Sequence, residues 1–109
     1  LKNIDFEKVL TFSDLVSYQS GQVVSRTLTQ NKYVSVTLFA FDADEEISSH
    51  ESSGDALVYV LDGKAEITIA DNTYILDSGK TIVMPAGIPH AVKAQEKFKM
   101  LLIVVFPSN

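Results

Sequence analysis

Between Gln22 and Phe106 the chain breaks into seven or eight short stretches rich in β-branched and aromatic residues, most of them closed by turn-forming residues. Gln22 to Leu28 and Tyr33 to Phe41 flank the polar segment Thr29 to Lys32 and read as a hairpin. Ala56 to Leu61, Lys64 to Ile69, Thr73 to Leu76 and Lys80 to Met84 follow. Asp62 and Gly63, Asp71 and Asn72, and Ser78 and Gly79 separate them, residues that tolerate the backbone angles of tight turns. Ala91 to Ala94 and Phe98 to Phe106 complete the series, and the last, apolar on both faces, is predicted to run centrally in a sheet. Helix is offered only by a turn start at Ser13, Asp14, Leu15 and Val16. Strands this short and this closely spaced restrict the chain to an all-β sandwich or barrel.

At 109 residues there is material for one domain with a single core, and residues 1–20 form an N-terminal arm or short helical turn ahead of it. A net charge of −5, with no basic cluster beyond Lys93, Lys97 and Lys99, argues against nucleic acid and against an anionic membrane surface as partners. The longest apolar run, Met100 to Phe106, is far short of a membrane span, and the opening LKNIDFEKVL has no hydrophobic signal core, so a cytoplasmic protein is expected. The chain has no cysteine, which removes disulfides, thiolate nucleophiles and sulfur ligands together and leaves histidine and carboxylates for any metal. The acidic run Asp42, Asp44, Glu45 and Glu46 lies between strands and reads as a solvated loop.

Both histidines of the chain stand in patterned surroundings. From Gly79 to His90 the order is Gly, five residues, Pro85, one residue, Gly87, two residues, His90. Gly79 permits a tight turn into a strand, Pro85 and Pro89 stiffen the loop after it, and Gly87 lets that loop bend before His90. This segment resembles the second signature of the cupin superfamily, with four of five positions kept and Ala94 in place of the final Asn. The upstream segment resembles the first signature in two of five positions: Asp44 stands for its first Gly, His50 for the first His, Ser52 for the second His, Ala56 for the Glu, and Gly63 closes it. Fifteen residues separate Gly63 from Gly79, a spacing similar to that of compact bacterial cupins of the conserved-barrel, RmlC-like kind. The resemblance spans residues 44–94 by motif and implies a double-stranded β-helix, or jelly-roll barrel, across residues 1–109.

The resemblance also implies a divalent metal held by three histidines and a glutamate. Here only His50 and His90 remain as candidate ligands, for iron, manganese, zinc or nickel, because Ser52 is a weak ligand and Ala56 is none. Glu51 and Asp55 point away by strand alternation unless a bulge turns one inward, and a one-residue slip would bring Gln95 or Glu51 to the site. Strand alternation places Ser52, Ala56 and Val58, with Val60, on the inward face, and Val92 and Ala94 beside His90. A cavity so lined suits a small, largely apolar ligand carrying one acceptor or anionic group. The alternative is an interior filled by Met84, Met100 and the phenylalanines. Leu57, Tyr59 and Leu61 form an outward apolar row that a second subunit would cover, which predicts a homodimer, with the Gln22–Phe41 hairpin available to extend the partner's sheet.

Three functions are compatible with these residues. One is a binding module for a small metabolite, favoured by the reduced ligand set. Another is a metal-assisted isomerase, decarboxylase or dioxygenase using His50 and His90. The third is a dimeric structural domain. The resemblance also implies that metal-free, epimerase-like cupins pair a histidine base with a tyrosine acid, and the four candidates here are Tyr18, Tyr33, Tyr59 and Tyr74, of which Tyr59 faces outward by parity.

Overall fold

The computed structural model describes residues 1–107. After a single 3-10 turn at Phe12–Asp14 come eight strands: β1 Val23–Gln30, β2 Val34–Phe41, β3 Glu46–His50, β4 Asp55–Ile69, β5 Asn72–Asp77, β6 Thr81–Met84, β7 His90–Lys93 and β8 Phe98–Val105. All pairings are antiparallel, in the order β1-β2-β8-β4-β7-β3, with β5 and β6 added on β4. The sheet curls on itself as a jelly-roll barrel. Among the described residues no helix is long and apolar enough to cross a membrane.

Strand β4 is the spine of this arrangement. Its first half pairs with β8 and β6, its second half with β5 and β7. The turn expected at Asp62 and Gly63 is not made; the chain bends there and stays in strand, because Asp62 and Gly63 continue the β8 pairing opposite Lys99 and Phe98. A register shift between Val60 and Asp62 inserts one extra residue. As a result the buried positions change from Ala56, Val58 and Val60 to Ala65 and Ile67, so both halves face one core despite the bend. Gly63 has a positive φ of 76°, and any Cβ there would collide with the Lys97 carbonyl.

The hairpin β1–β2 matches its expectation closely. Its turn is fixed by Asn31, whose side-chain oxygen accepts from the amides of Tyr33 and Val34. Strand β8 lies centrally, between β2 and β4, as its two apolar faces require. Strand β3 was not expected: the acidic segment does form a turn, but Glu46 already starts an edge strand, mostly exposed and therefore without an alternating apolar signature.

Two apolar clusters hold the fold. The inner one runs from Ala56 and Met84 through Val58, Val60 and Ile67 to Phe41 and Phe98, whose rings stack at 4.5 Å and close one end of the barrel. The outer one lies under the N-terminal arm, where Val16 and the half-buried Leu15 pack on Leu28, Leu38, Ala40 and Leu61. Polar ties fix the arm: Lys2 N–H donates to Leu28 O, Lys99 Nζ to Ser13 O, and Tyr18 OH to the Asp62 carboxylate at 2.6 Å. Burial, then the Asp62 bond, pushes the Tyr18 phenol well above its ordinary pKa, so this tie stays protonated.

Candidate functional site

The end of the barrel away from the stacked phenylalanines is open. His50 closes β3 and His90 starts β7, and the two are direct partners in the antiparallel register. Their rings meet edge to face at 4.4 Å between centroids and 73° between planes, with Nε2 of one 3.1 Å from Nε2 of the other. Each Nδ1 lies against a backbone carbonyl two residues earlier, His50 at 2.9 Å from Ser48 O and His90 at 3.2 Å from Ile88 O. His90 is buried, with 3% of its surface exposed, whereas His50 faces the solvent side. Burial, and after it the neighbouring His50, lowers the His90 pKa below 6.5; the contact with Ile88 O opposes this.

The loop of the second motif aims His90. Gly87, at a φ of 73°, turns the chain so that its amide donates to Ser52 O, and the amide of Ala86 donates to the Asp55 carboxylate. Pro89 O accepts from the Ala70 amide, fixing the residue directly before His90. Both histidine segments are thus tied to each other, since Ser52 follows His50 by two residues.

Beneath the rings lies a cavity of about 230 Å³. Ala56, Met84 and Val92 form part of its wall, Met100, Leu102 and Val104 of β8 another part, and Ile47 a third. Glu51 and Ser52 stand at the rim with the histidines. Met84 and Met100 therefore shape the interior without filling it. Of the residues expected at the pocket, His50, Ser52, Ala56, His90 and Val92 come together there. Val58 and Ala94 do not: both are fully buried, Val58 between β8 and β6 and Ala94 beyond the end of β7, where its amide and carbonyl bond to Glu45 and Asp44. Parity gave them the right face of the strand, but that face continues past the cavity into solid core.

Other expected neighbours are spoken for. Gln95 donates to Glu66 on the outside of the barrel, and Asp55 is engaged by Ala86. Among the described residues no tyrosine lines the cavity, so the histidine–tyrosine pair of the epimerase-like type is not assembled there. Ile47, Leu102 and Val104 were missed. β8 is apolar on both faces, which hides which face looks inward, and β3 was not recognised as a strand.

The donor set bears on a metal ion. Ser52 Oγ accepts from the Gly54 amide and Ala56 offers a methyl group, and Glu51, the one carboxylate of the lining, is not grouped with the two imidazoles in a way that would hold an ion. Among the described residues no group of three or more histidine, aspartate or glutamate side chains is arranged to hold a metal. Two ligands are fewer than a protein-held divalent centre requires, and the residues do not fit one.

Comparisons with known proteins agree with the fold. The family profile described as a cupin domain matches residues 37–106. A conserved protein of unknown function from Streptococcus pyogenes is 50% identical, with a TM-score of 0.96 over 98% of this chain and 94% of that one. A cupin superfamily protein from Desulfitobacterium hafniense is 34% identical, with a TM-score of 0.93 over 98% of both chains. A cupin 2 conserved barrel domain protein from Leptotrichia buccalis is 40% identical over 85% of this chain and 45% of its own length, with a TM-score of 0.83.

Proposed function

Since the chain belongs to the cupin family, and a fold alone fixes no chemistry, we propose that it is a binding protein for a small, largely apolar molecule. The molecule sits in the open end of the barrel under His50 and His90. The observation that supports this is the space itself: a cavity of about 230 Å³ with apolar walls and its polar atoms gathered at one rim. Ligand pockets commonly have this character, an apolar body with few polar anchors, and this volume lies below the roughly 300 Å³ at which drug-sized sites begin. The occupant is accordingly small. A metal-assisted reaction is disfavoured by the two-ligand donor set.

The chain's two methionines, Met84 and Met100, both face this cavity, so methyl-labelled methionine reports on it directly. In a screen of small neutral and charged organic molecules, binders are expected to shift both methyl resonances and raise the melting temperature. A screen in which no molecule moves either methyl would leave a structural domain instead.

We propose a homodimer as the assembly. Leu57 lies beside Val83 on one side and Ile103 on the other, and Tyr59 is the next outward residue of β4. Leu57, Tyr59 and Val83 keep 36%, 39% and 49% of their surface exposed, in a strip the N-terminal arm leaves bare. A second copy laid on this strip would remove it from water.

A further inference from the structure

We propose that the arm segment Asp5 to Leu10 of one chain packs on the bare strip around Leu57, Tyr59 and Val83 of a second copy, and that the second copy returns the same contact. This rests on the homodimer proposed above and names what each copy lays on the other. The segment carries its own unburied apolar side chains: Phe6 is 70% exposed, Val9 is fully exposed, and Leu10 stands beside them. Among the described residues no hydrogen bond ties positions 5 to 10 to the barrel, and the ion pair of Lys8 with Asp5 stays inside the segment. Both flanks are fixed. Before it, Lys2 N–H donates to Leu28 O, Asn3 Nδ2 donates to Thr27 O, and Ile4 packs on the outer cluster; after it, Ser13 O accepts from Lys99 Nζ and Val16 is buried. The segment is therefore held at its two ends and unsupported between them.

Arm and strip are placed so that one two-fold axis brings them together. The outer face is a sheet in the order β1-β2-β8-β4-β6, with β8 at its centre. The arm lies over the β1–β2 half, where Leu28, Leu38 and Ala40 are buried, and the bare strip occupies the β4–β6 half. A symmetric pair uses the same patch on both subunits. An axis in the plane of contact and parallel to β8 lays β1 of one copy over β6 of the other and β2 over β4, so each arm comes down on the opposite strip. Such an axis keeps the level along the strands, and the levels agree. The near end of the segment is tied at Leu28, next to Thr29, and the register leads from Thr29 through Val36 and Ile103 to Leu57 and Val83. The far end is tied at Lys99, which stands opposite Asp62. Tyr59 lies between those two levels.

Area requires the arm to take part. A stable interface buries roughly 800 Å² on each partner. Strands about 4.8 Å apart, with eight residues rising about 3.4 Å each, give the whole outer face a footprint of roughly 600 Å², and its bare half roughly 300 Å². Strip laid on strip is then too small to hold two chains together. Strip laid on arm lets every chain contribute both surfaces, and an aromatic side chain such as Phe6 alone buries on the order of 150 Å² or more. The reciprocal contact thus approaches the standard size, and it removes Phe6, Val9 and Leu10 from water together with Leu57, Tyr59 and Val83.

Two measurements on the intact protein test this. In sedimentation velocity the parent is expected to be a dimer, and Phe6→Ser with Val9→Ser, which changes only exposed positions, should raise the dissociation constant about tenfold or more with the circular dichroism spectrum unchanged. The second measurement locates the contact without removing it. The chain has no cysteine, so Glu7→Cys accepts a nitroxide label at one place. After subunit exchange between this labelled chain and ¹⁵N-enriched parent, the parent's amides at Leu57, Tyr59 and Val83 should broaden, and the broadening is between chains because the enriched copy carries no label. A dimer whose strip amides keep their line widths, or a double variant that dimerises as tightly as the parent, overturns the arm contact and leaves the homodimer standing. A monomeric parent overturns both.

Discussion

His90 is the residue of the site whose ionisation the fold alters, and the alteration has a sign. Its folded pKa lies below 6.5, so in the window just under that value the unfolded chain takes up a proton that the folded chain refuses. Stability is therefore full above about pH 6.5 and declines as the pH falls toward the folded pKa. The titratable groups facing His90 are His50 across the β3–β7 register and Glu51 at the rim. The urea midpoint is expected to drop between pH 7.5 and pH 5.5, and His90→Gln should flatten that drop; an unchanged slope in the variant would assign it to other groups. Gly63 tests backbone conformation instead of charge. Gly63→Ala adds a positive-φ penalty and a clash with the Lys97 carbonyl, and should cost about 2 kcal/mol or more in chemical denaturation.

Among the elements, the loop from Pro85 to Pro89 and the strand β4 show what sequence can and cannot convey. The loop was legible because its function requires particular backbone angles, and Gly87 and the two prolines are among the few residues that supply them. Its anchorage was not, because the Ala86 amide reaches a carboxylate 31 residues away. Asp55→Ala removes that acceptor, and the Ala86 amide should then exchange with solvent about tenfold faster, while strand β8 is unaffected; equal rates in both proteins would show the bond to be idle. In β4 the pair Asp62 and Gly63 is strong turn chemistry, yet the pairing with β8 on both sides overrides it and uses the glycine for a bend. β3 escaped notice for the opposite reason: Glu-Ile-Ser-Ser-His buries little, and its strand character comes from β7 alone. The histidine positions could be read from motif spacing. The cavity's depth could not, because Val58 and Ala56 look identical in a period of two while only Ala56 lines the open space.

For the molecule as a whole, the barrel divides into a closed aromatic end and an open histidine end, so the proposed ligand is expected at one end only, and the bare strip around Leu57 and Tyr59 sets the expected assembly. Light scattering should give twice the 12.0 kDa chain mass, and Leu57→Lys with Tyr59→Asp should give monomers that keep their fold. A monomeric parent would instead make the strip a free surface. The continuity of β4 reaches further. One strand gives its hydrogen bonds to β8 and β6 at one end and to β5 and β7 at the other, so neither side of the barrel can come apart without taking the shared strand from its opposite. Global unfolding is then a single cooperative event, and any smaller opening has to begin at the periphery. Strands β1, β3, β5 and β6 each have a single partner, and among them β3 has the fewest paired positions and carries His50: the wall of the cavity that faces water is also where such an opening is expected to begin.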